Sequence, residues 1–264
     1  MPPLIEVRNV RKSYGGRVAL EDVSFSVDRG KTLVILGASG GGKSTLLKVL
    51  ISAEKPDSGE VWLDGVEITR LPESALAPVR RKFGVLFQEG ALLNSLTVGE
   101  NVELPIRHHS ALPPETIQIM VKMKLELVGL RDADLKLPSE LSGGMRKRAS
   151  LARALALDPI LVFYDEPSSG LDPVATSVIS QLITDLKTKT GLTNVVITHD
   201  IQSALEIADG IVLLHRGRIA AQGTVTDLLR NEDPLVRQFL TGSTVGPLEI
   251  RSSEHEYYND LLNL

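Results

Sequence analysis

The sequence predicts an α/β fold: a mainly parallel sheet covered by helices, with an antiparallel β subdomain beside it and an inserted α-helical lobe. Three observations predict it. Short, wholly apolar runs bounded by turn residues recur along the chain: LVIL at 33–36, LVFY at 161–164, VVIT at 195–198, and GVLF from Gly84. Strands apolar on both faces suit a parallel sheet buried under helices. Longer stretches of helical character lie between these runs, and such alternation marks α/β architecture. Finally, IEVRNVRKSY, VSFSVDRG and EVWLDGVEI alternate polar and apolar residues, as a half-wet antiparallel sheet requires.

Taken in order, IEVRNVRKSY and VSFSVDRG open the chain as strands of the smaller sheet. LVIL follows as the first buried strand, and STLLKVLIS as the first helix. EVWLDGVEI, from Glu60, returns to the smaller sheet, and GVLF re-enters the larger one. From about Glu89 to Leu157 strand signals are few, and PPETIQIMVKMKLELVGL and MRKRASLARALAL read as helices, so this stretch is the lobe. LVFY, the helix ATSVISQLITDLKTK and the strand VVIT complete the core. After Gly242, GSTVGP reads as a linker and EIRSSEHEYYNDLLNL as a tail. That tail reads either as a disordered end or as a segment that docks on a neighbouring chain, for which Tyr257, Tyr258, Leu261 and Leu262 supply apolar anchors that disordered segments usually lack.

Composition narrows the function classes. The 264 residues carry a net charge of −4 with a sequence pI near 5.8, which argues against a nucleic-acid binder. Only 4% of residues are aromatic, so the core must be aliphatic. The absence of cysteine excludes disulfides, thiolate chemistry and cysteine metal sites. The N-terminus lacks the apolar segment of a signal peptide. No apolar run reaches the ~20 residues that cross a bilayer, so work at a membrane would need another chain as anchor.

The stretch GASGGGKST at 37–45 satisfies G-x-x-x-x-G-K-[ST] and sits between an apolar strand and a helix, the context that motif requires. Its glycines let backbone N–H groups turn inward as an anion nest. Lys43 can reach β and γ phosphates, and the Ser44 hydroxyl can ligate Mg²⁺. LVFYDE fits the other half of such a site. Asp165 ends the strand as a metal-holding carboxylate, and Glu166, one residue further out, can act as general base toward water. Gln88 and His199 follow strands of the same sheet, on the edge where open α/β folds bind ligands. Tyr14 can stack on a purine. PSELSGGM, from Pro138, places Ser142 as cap of a helix with free N–H groups, a second anion device.

In order along the chain, Tyr14, GASGGGKST, Gln88, LSGGM, LVFYDE, GLD and His199 resemble an ABC-transporter ATPase cassette over residues 4–242. The resemblance implies a P-loop NTPase that binds ATP with Mg²⁺. It makes Tyr14 the aromatic under adenine, with Val18 beside it. Gly37, Ala38, Ser39, Gly40, Gly41, Gly42, Lys43, Ser44 and Thr45 become the phosphate loop. Ser44, Gln88 and Asp165 become the metal set, and Glu166, His199, Gln88 and Lys43 the catalytic set. Ser142, Gly143 and Gly144 match the signature that closes over the nucleotide of a second copy, and Asp172 the aspartate at the dimer interface. Thus two anion devices in one chain serve two different nucleotides. The DEPSSGLDP stretch has serines where many relatives have other residues.

A narrower resemblance lies in FQEGALLNSLTVGENVELPIRHH, VKMKLELVGLRDADLKLPSELSGGM and VRQFLTGSTVGPLEI, which are similar to the ATPase of MCE-associated, Mla-type phospholipid transporters. Glu89 stands where a small polar residue is common. This resemblance implies a homodimer beneath two integral-membrane permease subunits, at the cytoplasmic face of the inner membrane, with an MCE-domain lipid-binding protein beyond. Some members also bind a small STAS-domain protein through the lobe. It also implies that residues 243–264 extend over the partner ATPase. The same cassette chemistry would serve lipoprotein release or small-solute uptake. A non-transport ATPase of repair or translation is disfavoured, since the chain has neither a long coiled coil nor a second cassette.

Overall fold

The computed structural model describes residues 2–248. The expected tail anchors from Tyr257 to Leu262 lie outside the described residues. Strands β1 (Ile5–Tyr14) and β2 (Arg17–Val27) form the long hairpin that opens the chain. Next come β3 (Thr32–Leu36) and α1 (Lys43–Leu50). EVWLDGVEI proves to be two strands, β4 (Ser58–Leu63) and β5 (Val66–Glu67), because Asp64 and Gly65 both take positive φ and turn the chain. These join the hairpin in an antiparallel sheet of order β2-β1-β4-β5.

After α2 (Glu73–Arg80) and β6 (Phe83–Leu86) the chain leaves the sheets for α3 (Val98–His109), α4 (Pro114–Leu127) and α5 (Gly143–Ala154). It returns with β7 (Leu161–Asp165), α6 (Pro173–Thr190), β8 (Thr193–Thr198), α7 (Ile201–Ile207), β9 (Gly210–His215) and β10 (Arg218–Gly223). Helices α8 (Val225–Arg230) and α9 (Pro234–Thr241) follow. The second sheet runs β10-β9-β3-β8-β7-β6, parallel except for the β9–β10 hairpin at its edge.

The apolar runs are explained by a core on each side of this sheet. Leu33 and Ile35 of β3, with Phe163 of β7 and Ile197 of β8, pack toward α1 and the antiparallel sheet. Their neighbours Val34, Leu36, Tyr164 and Val196 pack toward the helical lobe, α6 and α7. With both faces covered, strand alternation disappears from the sequence.

The lobe holds its entry loop through one buried side chain. Asn101 is fully buried on α3; its Nδ2 donates to Leu93 O (3.1 Å), Leu96 O (3.2 Å) and Thr97 O (2.9 Å), and its Oδ1 accepts from Leu93 N (2.8 Å). Asn101→Ala strands several buried polar groups at once. Such groups cost about 1–3 kcal/mol each, so a loss of about 2–4 kcal/mol in chemical denaturation is the expected result.

Candidate functional site

Parallel pairing brings four strand ends to one edge. In register, Leu36 faces Thr198, Asp165 faces Ile197 and Leu86 faces Tyr164. The residues just beyond these ends are the glycine loop, His199, Glu166 and Gln88. The fold therefore assembles these candidates, far apart in sequence, at the carboxyl edge where open α/β sheets hold ligands.

The loop needs glycine for steric reasons. A Cβ on Gly37 would overlap the Leu214 carbonyl, and one on Gly42, at φ 103, would come within 2.7 Å of Ala19 O. Helix α1 then starts at Lys43 with Gly42 as its N-cap and no side chain capping it. Uncapped N–H groups and the positive end of the helix dipole favour an anion here. Lys43 is buried, and its Nζ donates to Gly37 O (2.7 Å) and Ala38 O (3.1 Å). Burial lowers its pKa, and the charges of Glu166 and Asp165 oppose that shift.

Two carboxylates stand opposite that ammonium. Burial raises the Asp165 pKa first, and the Glu166 charge adds to it; Lys147 and Lys43 pull the other way. Glu166 takes φ 47, a left-handed conformation that costs a non-glycine residue about 1–3 kcal/mol. Its N–H donates to Ile197 O (2.8 Å), so β8 holds the strained residue in place. Glu166 Oε2 accepts from Thr198 Oγ1 (3.2 Å) and lies 2.9 Å from His199 Nδ1. The carboxylate is thus buried and aimed, while the imidazole next to it remains exposed.

Lys43, Ser44, Gln88, Asp165, Glu166 and His199 line one cavity of about 960 Å³, together with Ser39, Gly40, Gly42 and Thr45. Tyr14 and Val18 belong to its wall and are exposed, offering an apolar surface to a flat ring. The Tyr14 hydroxyl donates to Glu54, and Lys12 Nζ sits 5.3 Å from its ring centroid. An anion nest, an ammonium, paired carboxylates, an imidazole and an aromatic wall can bind a purine polyphosphate and aim a water at it.

Other expected residues lie elsewhere. Gly37, Ala38 and Gly41 form the back of the loop instead of the cavity lining. Ser142, Gly143, Gly144 and Asp172 do not line the cavity either. Ser142 Oγ accepts from Met145 N (3.3 Å) and caps α5, while Asp172 Oδ1 accepts from Ala175 N (2.9 Å) and caps α6. A Cβ on Gly143 would touch Leu171 and one on Gly144 would touch Ala175, so the two helix starts pack together.

Arg17, Arg216 and Gly217 line the cavity too, although sequence reading passed them over. GIVLLH at 210–215 is an apolar run of the same kind as the other strands; reading it would have put Arg216 and Gly217 at a strand end. Lys147, buried behind the site, gave no signal inside a helix rich in Arg and Lys. A second cavity, of about 990 Å³, lies between α4 and α6. Its lining mixes basic residues (Lys122, Lys124, Arg131 and Lys189) with acidic ones (Glu126, Asp132, Asp134, Asp158 and Asp185), and no strand end or glycine loop faces it.

This fold and site define a nucleotide-hydrolysing cassette. The family described as ABC transporter matches residues 20–169, more than half of the chain. The chain belongs to the ABC transporter family and is an ATPase of a transporter. It is 44% identical over 259 residues to the intermembrane phospholipid transport system ATP-binding protein MlaF of Escherichia coli K12, covering 98% of this chain and 96% of that protein. MlaF of Haemophilus influenzae is 43% identical, with 98% of each chain covered. The probable ribonucleotide transport ATP-binding protein mkl of Mycobacterium leprae is 42% identical over 96% of this chain and 73% of its own length. Among solved structures, the dimeric post-hydrolysis state of the cassette MJ0796 bound to ADP and Pi has a TM-score of 0.78 at 34% identity, covering 84% of this chain and 98% of that one. The cbiO1 structure from Clostridium perfringens has a TM-score of 0.82 at 25% identity, covering 98% of this chain and all of that one. Among the described residues no helix is long and apolar enough to cross a membrane.

Proposed function

We propose that this chain is the ATP-hydrolysing subunit of a transporter that moves phospholipid between membranes. The observation that carries this reading is identity of 43–44% to MlaF proteins over 98% of the chain, helical lobe included. The test is to purify the full chain with its membrane partners, identify the copurifying lipids, and follow ATP-dependent phospholipid transfer between vesicles. Transfer that stops without ATP supports the reading. ATPase activity stimulated by ribonucleotide, lipoprotein or a small solute, but not by phospholipid, overturns it.

In this reading the glycine loop, the α1 start and Lys43 hold the β and γ phosphates, while Tyr14 stacks under the adenine beside Val18. Glu166 takes the proton of the attacking water, and His199 contacts the γ phosphate. The Glu166–His199 contact orients both groups. Ser44, Gln88 and Asp165 fit Mg²⁺: they supply oxygen donors in one cavity, and Asp165 is a carboxylate whose ionised form is disfavoured by burial and by Glu166. Mg²⁺, when bound there, neutralises charge that builds on the β and γ oxygens. Ser142, Gly143 and Gly144, at the start of α5, together with Asp172, face the nucleotide of a second copy, so that two chains enclose two nucleotides. The ATPase domain spans 4–242. Two permease subunits hold the pair at the cytoplasmic face of the inner membrane, with an MCE-domain protein beyond it.

The raised Asp165 pKa makes this testable. The metal ligand is the ionised form, which is lost as pH falls through the raised value. Mg²⁺-dependent ATP affinity is therefore expected to fail at a pH above the ordinary aspartate range of about 4. In Glu166→Gln one of the two causes is gone, so the failure shifts to lower pH. Nucleotide binding titrated with and without Mg²⁺ across pH checks both statements.

A further inference from the structure

Helix α5 grips the loop that follows β6 along one face. Arg153 donates to Ala91 O (2.7 Å) and Gly90 O (3.1 Å). Ser150 lies close enough that a Cβ on Gly90 would come within 2.6 Å of its Oγ. Lys147 donates to Gln88 O (2.5 Å). Residues 147, 150 and 153 are three apart and share a helix face. Lys147 makes a second bond that leaves this loop, donating to Glu166 O at 3.0 Å. One ammonium therefore joins the main chain of the candidate metal-side glutamine to that of the candidate base.

The chemistry of this residue calls for an explanation. Lys147 is 6% exposed, and both of these bonds go to carbonyls rather than to a carboxylate. Burying an ammonium costs several kcal/mol in practice, and an apolar chain of like volume often fills such a space with less penalty. Desolvation lowers the Lys147 pKa, with the charges of Glu89, Asp165 and Glu166 opposing it. The side chain has three donors on a flexible stem, suited to bridging two carbonyls from separate strands.

We infer that Lys147 is a positioning residue for hydrolysis: it fixes the spacing between Gln88 and Glu166, and ties that spacing to the helix whose first turn is Ser142-Gly143-Gly144. A shift of α5 at its capped end is carried one turn along the helix to the backbone of the base. The Lys147 side chain does not line the cavity, and it acts through the main chain of Glu166. The inference rests on the roles proposed above for Gln88 and Glu166.

The test uses the full chain copurified with its membrane partners, as Lys147→Met and Lys147→Arg, with Glu166→Gln as control. Lys147→Met is expected to keep the ATP Kd within about twofold and to lower the melting temperature by no more than a few degrees, because relief from burying the ammonium offsets part of the cost of the two freed carbonyls. It should lower kcat by ~10- to 100-fold, the scale on which misplacement by up to an ångström acts. Lys147→Arg, which keeps donors for both carbonyls, should recover most of the turnover. A parental kcat in Lys147→Met overturns the inference. So does a loss of kcat that Lys147→Arg does not recover, or one matched by weaker ATP binding and a larger fall in melting temperature. If Glu166→Gln turns over normally, the base assignment falls; if it is inactive while Lys147→Met is normal, the positioning role alone falls.

Discussion

Glu166→Gln is expected to leave ATP affinity within about twofold of the parent and to lower kcat by ~10²-fold or more, the scale of general-base catalysis. The substitution is isosteric and spares what places the residue. Its φ of 47 is held by a main-chain bond to Ile197 O, which an amide side chain does not disturb. Thr198 Oγ1 and His199 Nδ1 still find an amide oxygen where the carboxylate Oε2 accepted them. The amide cannot take a proton from water. Because Lys43 and the glycine loop are untouched, the loss belongs in kcat while binding persists. Equilibrium ATP binding and single-turnover hydrolysis on the same preparation check this, and parental turnover would remove Glu166 from the role. The same variant should accumulate the ATP-bound pair, so a strictly monomeric preparation with ATP and membrane partners present would sink the two-chain reading.

How much of this was legible beforehand depends on what each element is made of. β3, β7 and β8 were readable because burial on both faces leaves nothing polar inside them, and turn residues mark their ends. The cavity residues at those ends followed from the strands. β9 is equally apolar and was passed over, and with it Arg216 and Gly217 at its end. Helix α3 was missed as well, although Thr97 and Glu100 form a capping box, with Glu100 N donating to Thr97 Oγ1 (3.2 Å) and Thr97 N to Glu100 Oε2 (2.7 Å). Pro105 inside the helix and the paired histidines at its end obscured the periodicity. GVLF gave up Phe87, because the strand ends at Leu86 and the next residue is exposed. Lys147 was beyond reach for a different reason. Its partners are main-chain carbonyls, which carry no sequence identity, so only the folded backbone reveals what it holds.

Lys43→Met separates binding from chemistry in the opposite sense. Lys43 is buried and reaches into the loop, where its ammonium bonds Gly37 O and Ala38 O. Phosphate oxygens offer that ammonium charge-assisted bonds stronger than these carbonyls provide. A hydrogen bond to a charged group contributes about 1.5–3 kcal/mol, and each 1.4 kcal/mol is about tenfold in affinity. The expected ATP Kd is therefore weaker by ~10- to 100-fold, with a smaller loss for ADP, which lacks the γ phosphate. Methionine fills the space of the stem, so the fold should persist with a melting temperature close to the parent's. Lys43→Arg should not restore affinity. The planar guanidinium is bulkier than an ammonium, and the loop around it is closed by backbone, with Gly42 and Gly37 already against Ala19 and Leu214. Equilibrium binding of ATP and ADP to the three proteins decides the point. An ATP affinity unchanged by the loss of Lys43 would mean that the dipole and N–H groups of the glycine loop suffice by themselves, and the lysine would then have to act only as charge builds during hydrolysis.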